Sequence, residues 1–260
     1  GCVRGAPAPG SHRIGVCQDR FAGRRGGDGR TVSRVVTTIP LFPLGTVLMP
    51  GASLPLHVFE PRYRQLTVDL MTGAVPNKEF GVVAVREGFN PDVDGIEALA
   101  PVGCTAALLD ARRLPDGRYD IVTRGARRFR LLEMDEGSHS YLCGSVEFLP
   151  DAEKADDGDD LTRMLSASAR AVHRRYCATA WKSDDWSEPA HEVGAAELAH
   201  VLAADCLLPM SDRQQLLEET HPVQRLRMVR MLIAREAGLL TRLRAVPTPM
   251  TTYSTDQSPN

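Results

Sequence analysis

IPLFPLGTVLMPGASLPLHVFEPRY, residues 39–63, is the stretch whose reading decides the fold. Five prolines (Pro40, Pro43, Pro50, Pro55, Pro61) punctuate short apolar runs: Leu41-Phe42, Val47-Leu48-Met49, Leu54, Leu56 and Val58-Phe59. Each proline fixes its own φ and pushes the preceding residue towards extended geometry. The stretch therefore predicts short strands and tight bends. Because central paired strands tolerate proline poorly, some of these runs belong to edge strands or bulged corners. Glu60-Pro61-Arg62-Tyr63 then changes the regime. Pro61 suits the first turn of a helix, and Tyr63, Leu66 and Leu70 repeat at helical spacing.

Further along, Phe80 to Val85 is a continuous apolar run, as expected of a strand buried on both faces. Asn90-Pro91-Asp92-Val93-Asp94-Gly95 resembles the first half of a calcium loop, but the closing glutamate is replaced by Pro101, so it reads as a turn. Strand-like segments follow at Val102–Leu109, Arg118–Arg124, Arg127–Met134 and Tyr141–Leu149. Pro115-Asp116-Gly117, Gly125 and Gly137 mark the breaks between them. Tyr119, Ile121 and Thr123 share one face; Phe129 and Leu131 oppose Arg128 and Arg130; Leu142, Val146 and Phe148 share another. Closely spaced strands with Gly/Asp turns argue for a compact, partly closed β-barrel.

Asp151 to Asp160 holds six acids and one lysine and reads as a solvated linker. Beyond it the period becomes helical. A stripe of Leu161, Leu165, Ser168, Val172 and Tyr176 predicts a first helix ending near Trp181. A second is expected over Glu192–Ala204, burying Val193, Leu198 and Leu202. Ser211-Asp212-Arg213-Gln214 has the form of a capping box that starts a third. Pro222 opens a fourth, faced by Leu226, Val229, Ile233, Ala237 and Leu240. The class is α+β: a β-domain over residues 36–150, then a helical bundle over 160–244. Residues 1–34, Gly-, Pro- and Arg-rich, and residues 246–260 read as disordered tails. The first of these could also be a transit peptide, a nucleic-acid-binding arm or sequence upstream of a true start near Val35.

PLFPLGTVLMPG followed by LPLHVFEPRYR resembles the opening motif of the Lon protease N-terminal (LON substrate-binding) domain family. Phe80-Gly81-Val82-Val83, Gly103-Cys104, Gly125-Ala126-Arg127-Arg128-Phe129 and the Leu-Pro…Gln-Leu-Leu-Glu segment near 208–218 follow in the same order. The resemblance covers residues 36 to 240. It implies a PUA-like β-barrel followed by a helical bundle, and recognition of protein substrates without catalysis.

The chemistry expected of a whole ATP-dependent protease is missing from these 260 residues. No Gly-Lys pair exists to form a phosphate loop, and the three lysines, Lys78, Lys154 and Lys182, lack a serine-nucleophile context. We therefore expect a stand-alone substrate-binding portion, without the ATPase and peptidase parts, that is not an enzyme and uses no cofactor or metal. His191-Glu192 lacks the second histidine of a zincin, Ala195 standing in its place. His57 reads as a hydrogen-bonded structural histidine, and a Cys104/His57 nucleophile pair has nothing positive behind it. The six cysteines show no C-x-x-C, so buried free thiols are expected for Cys104, Cys143 and Cys206. Glu60 should favour the start of the Pro61 helix, with Arg62 paired to a nearby carboxylate.

Residues 1–34 carry +5 of a total formal charge of −2, which leaves −7 for residues 35–260. An acidic body counts against a nucleic-acid partner. No apolar run approaches the ~20 residues of a membrane span, and no secretory signal is present, so the expectation is cytoplasmic. Expected partners are unfolded or partly folded client polypeptides, with a separate protease or ATPase as a further one. An RNA-binding PUA-like module and an adaptor for a separate ATPase or protease stay open as alternatives. Apolar groove binding needs large side chains and few central charges. The peptide-binding candidates are Phe42, Leu48, Met49, Phe59 and Tyr63.

Overall fold

A computed structural model describes residues 35–243, apart from 91–93, 136, 138, 153–155 and 182–184. Both expected tails, Lys154 and Lys182, and the middle of the calcium-like turn lie outside the described residues. Either side of that turn, Asn90 and Asp94 exchange two hydrogen bonds of 2.8 Å, Asp94 N–H to the Asn90 carbonyl and Asn90 N–H to the Asp94 carboxylate.

The proline-rich stretch becomes β1 (Val36–Leu44), a loop, β2 (Ser53–Val58) and helix α1 (Pro61–Thr72). β1 keeps two prolines because its halves have different neighbours. Val36–Pro40 pairs antiparallel with a later strand, whereas Leu41–Leu44 pairs parallel with β3 (Glu79–Ala84). Each half thus has one ladder side free, where a missing N–H costs no bond. Pro55 sits in β2, which pairs only with the first half of β5 (Tyr119–Asp135). Pro61 occupies the first turn of α1, and Gly73 ends that helix at a left-handed φ of 82°.

With β4 (Val102–Arg113) and β6 (Cys143–Phe148), the six strands run in the order β2-β5-β4-β3-β1-β6. The far half of β5 also pairs with β6, so the mixed sheet nearly closes a ring. β3, central and flanked by β4 and β1, is buried over five of its six residues. Tyr119, Ile121 and Thr123 are buried as expected. Leu142, Val146 and Phe148 pack with Leu41, Val83, Phe129 and Leu131 in one small core.

Gly125 does not break the strand, contrary to the expectation. β5 runs through it without interruption, with a register shift against β4 nearby. The glycine is needed because the 45–52 loop lies directly on it. A Cβ there would stand 2.1 Å from the Met49 carbonyl oxygen. Gly51 N–H donates to the Gly125 carbonyl and Gly125 N–H to the Ala52 carbonyl, both at 2.8 Å.

The C-terminal helices are α2 (Asp160–Ala180), α3 (Ala195–Ala204), α4 (Met210–Glu218) and α5 (Pro222–Leu243). Three local expectations need correction. Leu161 is 47% exposed; Tyr176 is buried and Leu165 and Val172 pack on the core as expected, but α2 also buries Thr162, Ala169, His173 and Cys177 beside them. α3 begins at Ala195, three residues later than expected, where the Asp157 carboxylate accepts from the Ala195 N–H at 2.8 Å. The Ser211–Gln214 capping box does not form. α4 starts at Met210, and the Gln214 amide donates to the Val102 carbonyl (3.0 Å) and to Glu218 (2.8 Å).

Nor is the acidic run merely solvated. Asp159 caps α2 through the Thr162 N–H at 3.1 Å. The Asp151 carboxylate accepts from Arg128 of β5 (2.5 Å) and from Arg225 of α5 (2.9 and 3.0 Å). Arg128 and Arg225 are 5% and 1% exposed and also donate to the carbonyls of Leu217, Glu219 and Ala196. Arg128 therefore shares no surface with the exposed Arg130. This ionic node joins the sheet to the helices at one edge of a continuous apolar core. That core runs from Val47, Leu66 and Phe80 to Tyr176, Leu198 and Ile233.

Candidate functional site

Docking of the 45–52 loop onto Gly125 leaves a cleft between that loop and the helices, of about 350 Å³. One wall is Thr46, Val47, Leu48 and the turn Gly51 to Leu54; the other is Val201 and Ala204 of α3 with Asp205 and Arg213. Apolar and polar surface line it in similar measure, with Asp205 and Arg213 the one acid and one base among the lining residues. Burial holds the Arg213 guanidinium below its ordinary range, partly offset by nearby Cys206. Its buried Nε has no hydrogen-bond partner among the described residues. A hollow with aliphatic side chains beside a few oriented polar groups has room for a side chain of an extended chain.

Of the five residues singled out in the sequence, the structure brings Leu48 to this cleft, where it is 4% exposed. Met49 and Tyr63 lie in the core beneath it. Half-buried Phe42 stacks on Tyr63 with ring centroids 3.9 Å apart and planes 14° apart, and reaches Phe80 at 5.8 Å. Phe59 departs from the packing expected of a Val-Phe strand end: it is 61% exposed, because β2 ends at Val58 and the chain turns before α1. The helical wall was not legible, since nothing in the sequence says that Val201, Ala204 and Arg213 meet residues 46–54.

Other candidates resolve into structural roles. His57 Nδ1 lies 2.7 Å from the Asp120 carboxylate in an exposed pair. Asp120 is held below the usual carboxylate range by Arg112 first and His57 second. Cys104 is placed away from it, opposite Arg128, with burial pushing its thiol up to about 12. Arg62 Nε donates to Glu60 at 3.0 Å, the expected local pair. Cys104, Cys143, Cys177 and Cys206 are all buried. Among the described residues no group of three or more His, Cys, Asp and Glu side chains is disposed to hold a metal ion. Among them, too, no helix is long and apolar enough to cross a membrane.

Comparison with known proteins agrees with this architecture. The Lon protease of Anaeromyxobacter dehalogenans is 27% identical over 214 residues, 79% of this chain but 24% of that protein. The Lon protease of Parabacteroides distasonis is 32% identical over 137 residues, 52% of this chain and 16% of that protein. The chain thus spans about a quarter or less of the length of these curated relatives. The crystal structure of a Lon N-terminal domain protein from Xanthomonas campestris superposes with a TM-score of 0.54 at 26% identity, covering 81% of this chain and 99% of that one. The N-terminal domain of the Mycobacterium avium complex Lon protease shares the fold, with a TM-score of 0.56 at 21% identity over 76% and 98% of the two chains. Residues 38–235 match the ATP-dependent protease La (LON) substrate-binding domain. With three quarters of its length inside that match and the sheet-then-helices order it requires, the chain belongs to the LON substrate-binding domain family.

Proposed function

We propose that this chain recognises polypeptides without catalysing their cleavage, by admitting an apolar side chain of an unfolded or partly folded client into the cleft between the 45–52 loop and α3. The observation behind the reading is the cleft itself, because one wall is the family's proline-rich opening motif and the apolar side chains of Val47, Leu48, Leu54 and Val201 are among its lining. Leu48 contacts the client directly in this scheme. Phe42, Met49 and Tyr63 act from behind by holding the wall in shape, and exposed Phe59 offers a second apolar contact outside the cleft. Family membership supports the substrate class, and a protease or ATPase would then supply the chemistry.

Filling the hollow tests this. Ala204, half-buried on α3, faces the cleft. Ala204→Phe should weaken capture of a labelled, permanently unfolded protein by at least tenfold, about 1.4 kcal/mol, while leaving the unfolding midpoint in place. Undiminished capture by a folded Ala204→Phe variant would move the binding surface elsewhere.

A further inference from the structure

The polypeptide-binding reading leaves one buried cluster unused. Cys177, in the last turn of α2, and Cys206, just past the end of α3, are 0% and 1% exposed, and their two segments meet: the Leu207 N–H donates to the Tyr176 hydroxyl at 3.0 Å and the Trp181 indole N–H to the Asp205 carbonyl at 3.2 Å. His173, one turn before Cys177 on the same face, places Nε2 3.4 Å from the Cys177 sulfur and 3.2 Å from the Asp205 carboxylate. The edge of Trp186 closes over the imidazole at 6.1 Å between centroids. A thiol, an imidazole whose Nε2 faces both that thiol and a carboxylate, and a second thiol are thus contiguous. This is the arrangement in which a cysteine is activated and another resolves it.

The electrostatics run the same way. The neighbouring Cys206 thiol, followed by His173, pulls Cys177 down against the opposing effect of burial, while Cys206 moves up and stays protonated. Burial disfavours charge on His173, but the bonds to Asp205 and Cys177 together outweigh it and raise the imidazole to about 9. Cys104, with no such partner, is pushed up to about 12 and serves as the inert comparison. Access is short, because Asp205 is also a wall of the cleft and its side chain is 40% exposed.

We propose that Cys177 and Cys206 are a redox-active dithiol that a hydroperoxide oxidises to a disulfide, bolting the end of α2 to the link between α3 and α4. Cys177 gives its proton to His173 and its thiolate attacks one peroxide oxygen. The O–O bond breaks, and the departing oxygen takes the proton from the imidazolium, leaving as water or an alcohol. Cys177 is then a sulfenic acid, oxidised by two electrons, with the peroxide reduced by two. The Cys206 sulfur attacks the Cys177 sulfur, the S–O bond breaks, and hydroxide leaves as water with the Cys206 proton. The inference is independent of what the cleft binds.

The test uses the full chain carrying Cys2→Ser and Cys17→Ser, treated with hydrogen peroxide under native conditions, quenched in acid, alkylated and digested. The expected product is a Cys177–Cys206 linked peptide, with Cys104 and Cys143 still alkylated and the bond reversed by a thiol reductant. Cys206→Ser should stop at a Cys177 sulfenic acid that a cyclic 1,3-diketone traps. His173→Gln, if its circular dichroism matches the parent, should slow the reaction by about a hundredfold, a typical worth for a positioned acid–base group. Failure to find the linked peptide overturns the proposal, whether both thiols stay alkylatable or other cysteines react first. So does protection of the two thiols by a metal that native mass spectrometry detects.

Discussion

Asp151→Asn should be among the most damaging single substitutions in the chain, although it changes one oxygen to an NH₂ group in an acidic run. Asp151 receives three hydrogen bonds from two guanidiniums that are 5% and 1% exposed. Burial already disfavours the Arg128 charge and neighbouring Arg225 adds to that, with Asp151 the first group opposing them. An asparagine oxygen can accept one of these bonds, but its NH₂ faces cations and no negative charge remains. Breaking a buried ion pair by removing one partner costs about 3–5 kcal/mol. For a domain of this size each kcal/mol moves Tm by about 2–4 °C, so the fall should be about 6–20 °C. Because the node ties β5 to α5, thermal unfolding followed by circular dichroism should also lose its single-step form. Asp160→Asn is the control: its side chain is 86% exposed and pairs with Arg163, so Tm should stay put. Equal, small shifts for both variants would refute the argument that burial, and not the acidic run as such, gives Asp151 its weight.

Three further outcomes follow. Gly125→Ala should cost about 1–3 kcal/mol in chemical denaturation, the range for overpacking, since its Cβ would meet the Met49 carbonyl; an unchanged midpoint would mean that the 45–52 loop is not docked there. Phe59→Ala should leave stability within about 0.5 kcal/mol, its ring being 61% exposed, and a loss of several kcal/mol would show that the ring is packed. Burial, with Arg225 and then Arg128 adding, holds His200 well below its ordinary value of 6.5. The unfolded chain therefore binds a proton there that the folded one does not, and stability is lost as pH falls below 6.5. From pH 6.5 to 5 wild type should lose about 1.5 kcal/mol more than His200→Leu, and parallel pH profiles would contradict that.

Local physics made much of the architecture legible. Pro61 and Pro222 mark helix starts because a missing N–H costs nothing there, and the Phe80–Val85 run reads as a central strand because it is apolar on both faces. Tertiary causes were not legible. Gly125 looks like a strand break, yet its job is to admit a carbonyl from 76 residues upstream. Arg128 alternates like a surface residue, but its partners lie 23, 89 and 91 residues away, at the Asp151 carboxylate and the Leu217 and Glu219 carbonyls. The inward face of α2 includes Thr162, His173 and Cys177, polar groups that burial tolerates through partners, so the apolar stripe that Leu165, Val172 and Tyr176 do follow marks only part of that face and leaves Leu161 outside it. Leu48 lies in the sequence motif that forms one wall of the cleft. The facing wall, about 150 residues later, has no sequence signal of its own.

The most direct test of polypeptide recognition is the salt dependence of binding. Labelled unfolded protein and labelled single-stranded RNA are titrated separately against the full chain at about 50 and 200 mM salt. Apolar side-chain burial is not screened by ions, so affinity for the unfolded protein should be nearly equal at the two concentrations and should need no ATP. A chain that neutralised 6–10 phosphates would lose about 10³–10⁵-fold over that range. Salt-independent capture of the unfolded protein, weakened by Ala204→Phe, is the predicted result. Tight, salt-sensitive RNA binding with no affinity for the unfolded protein would contradict it.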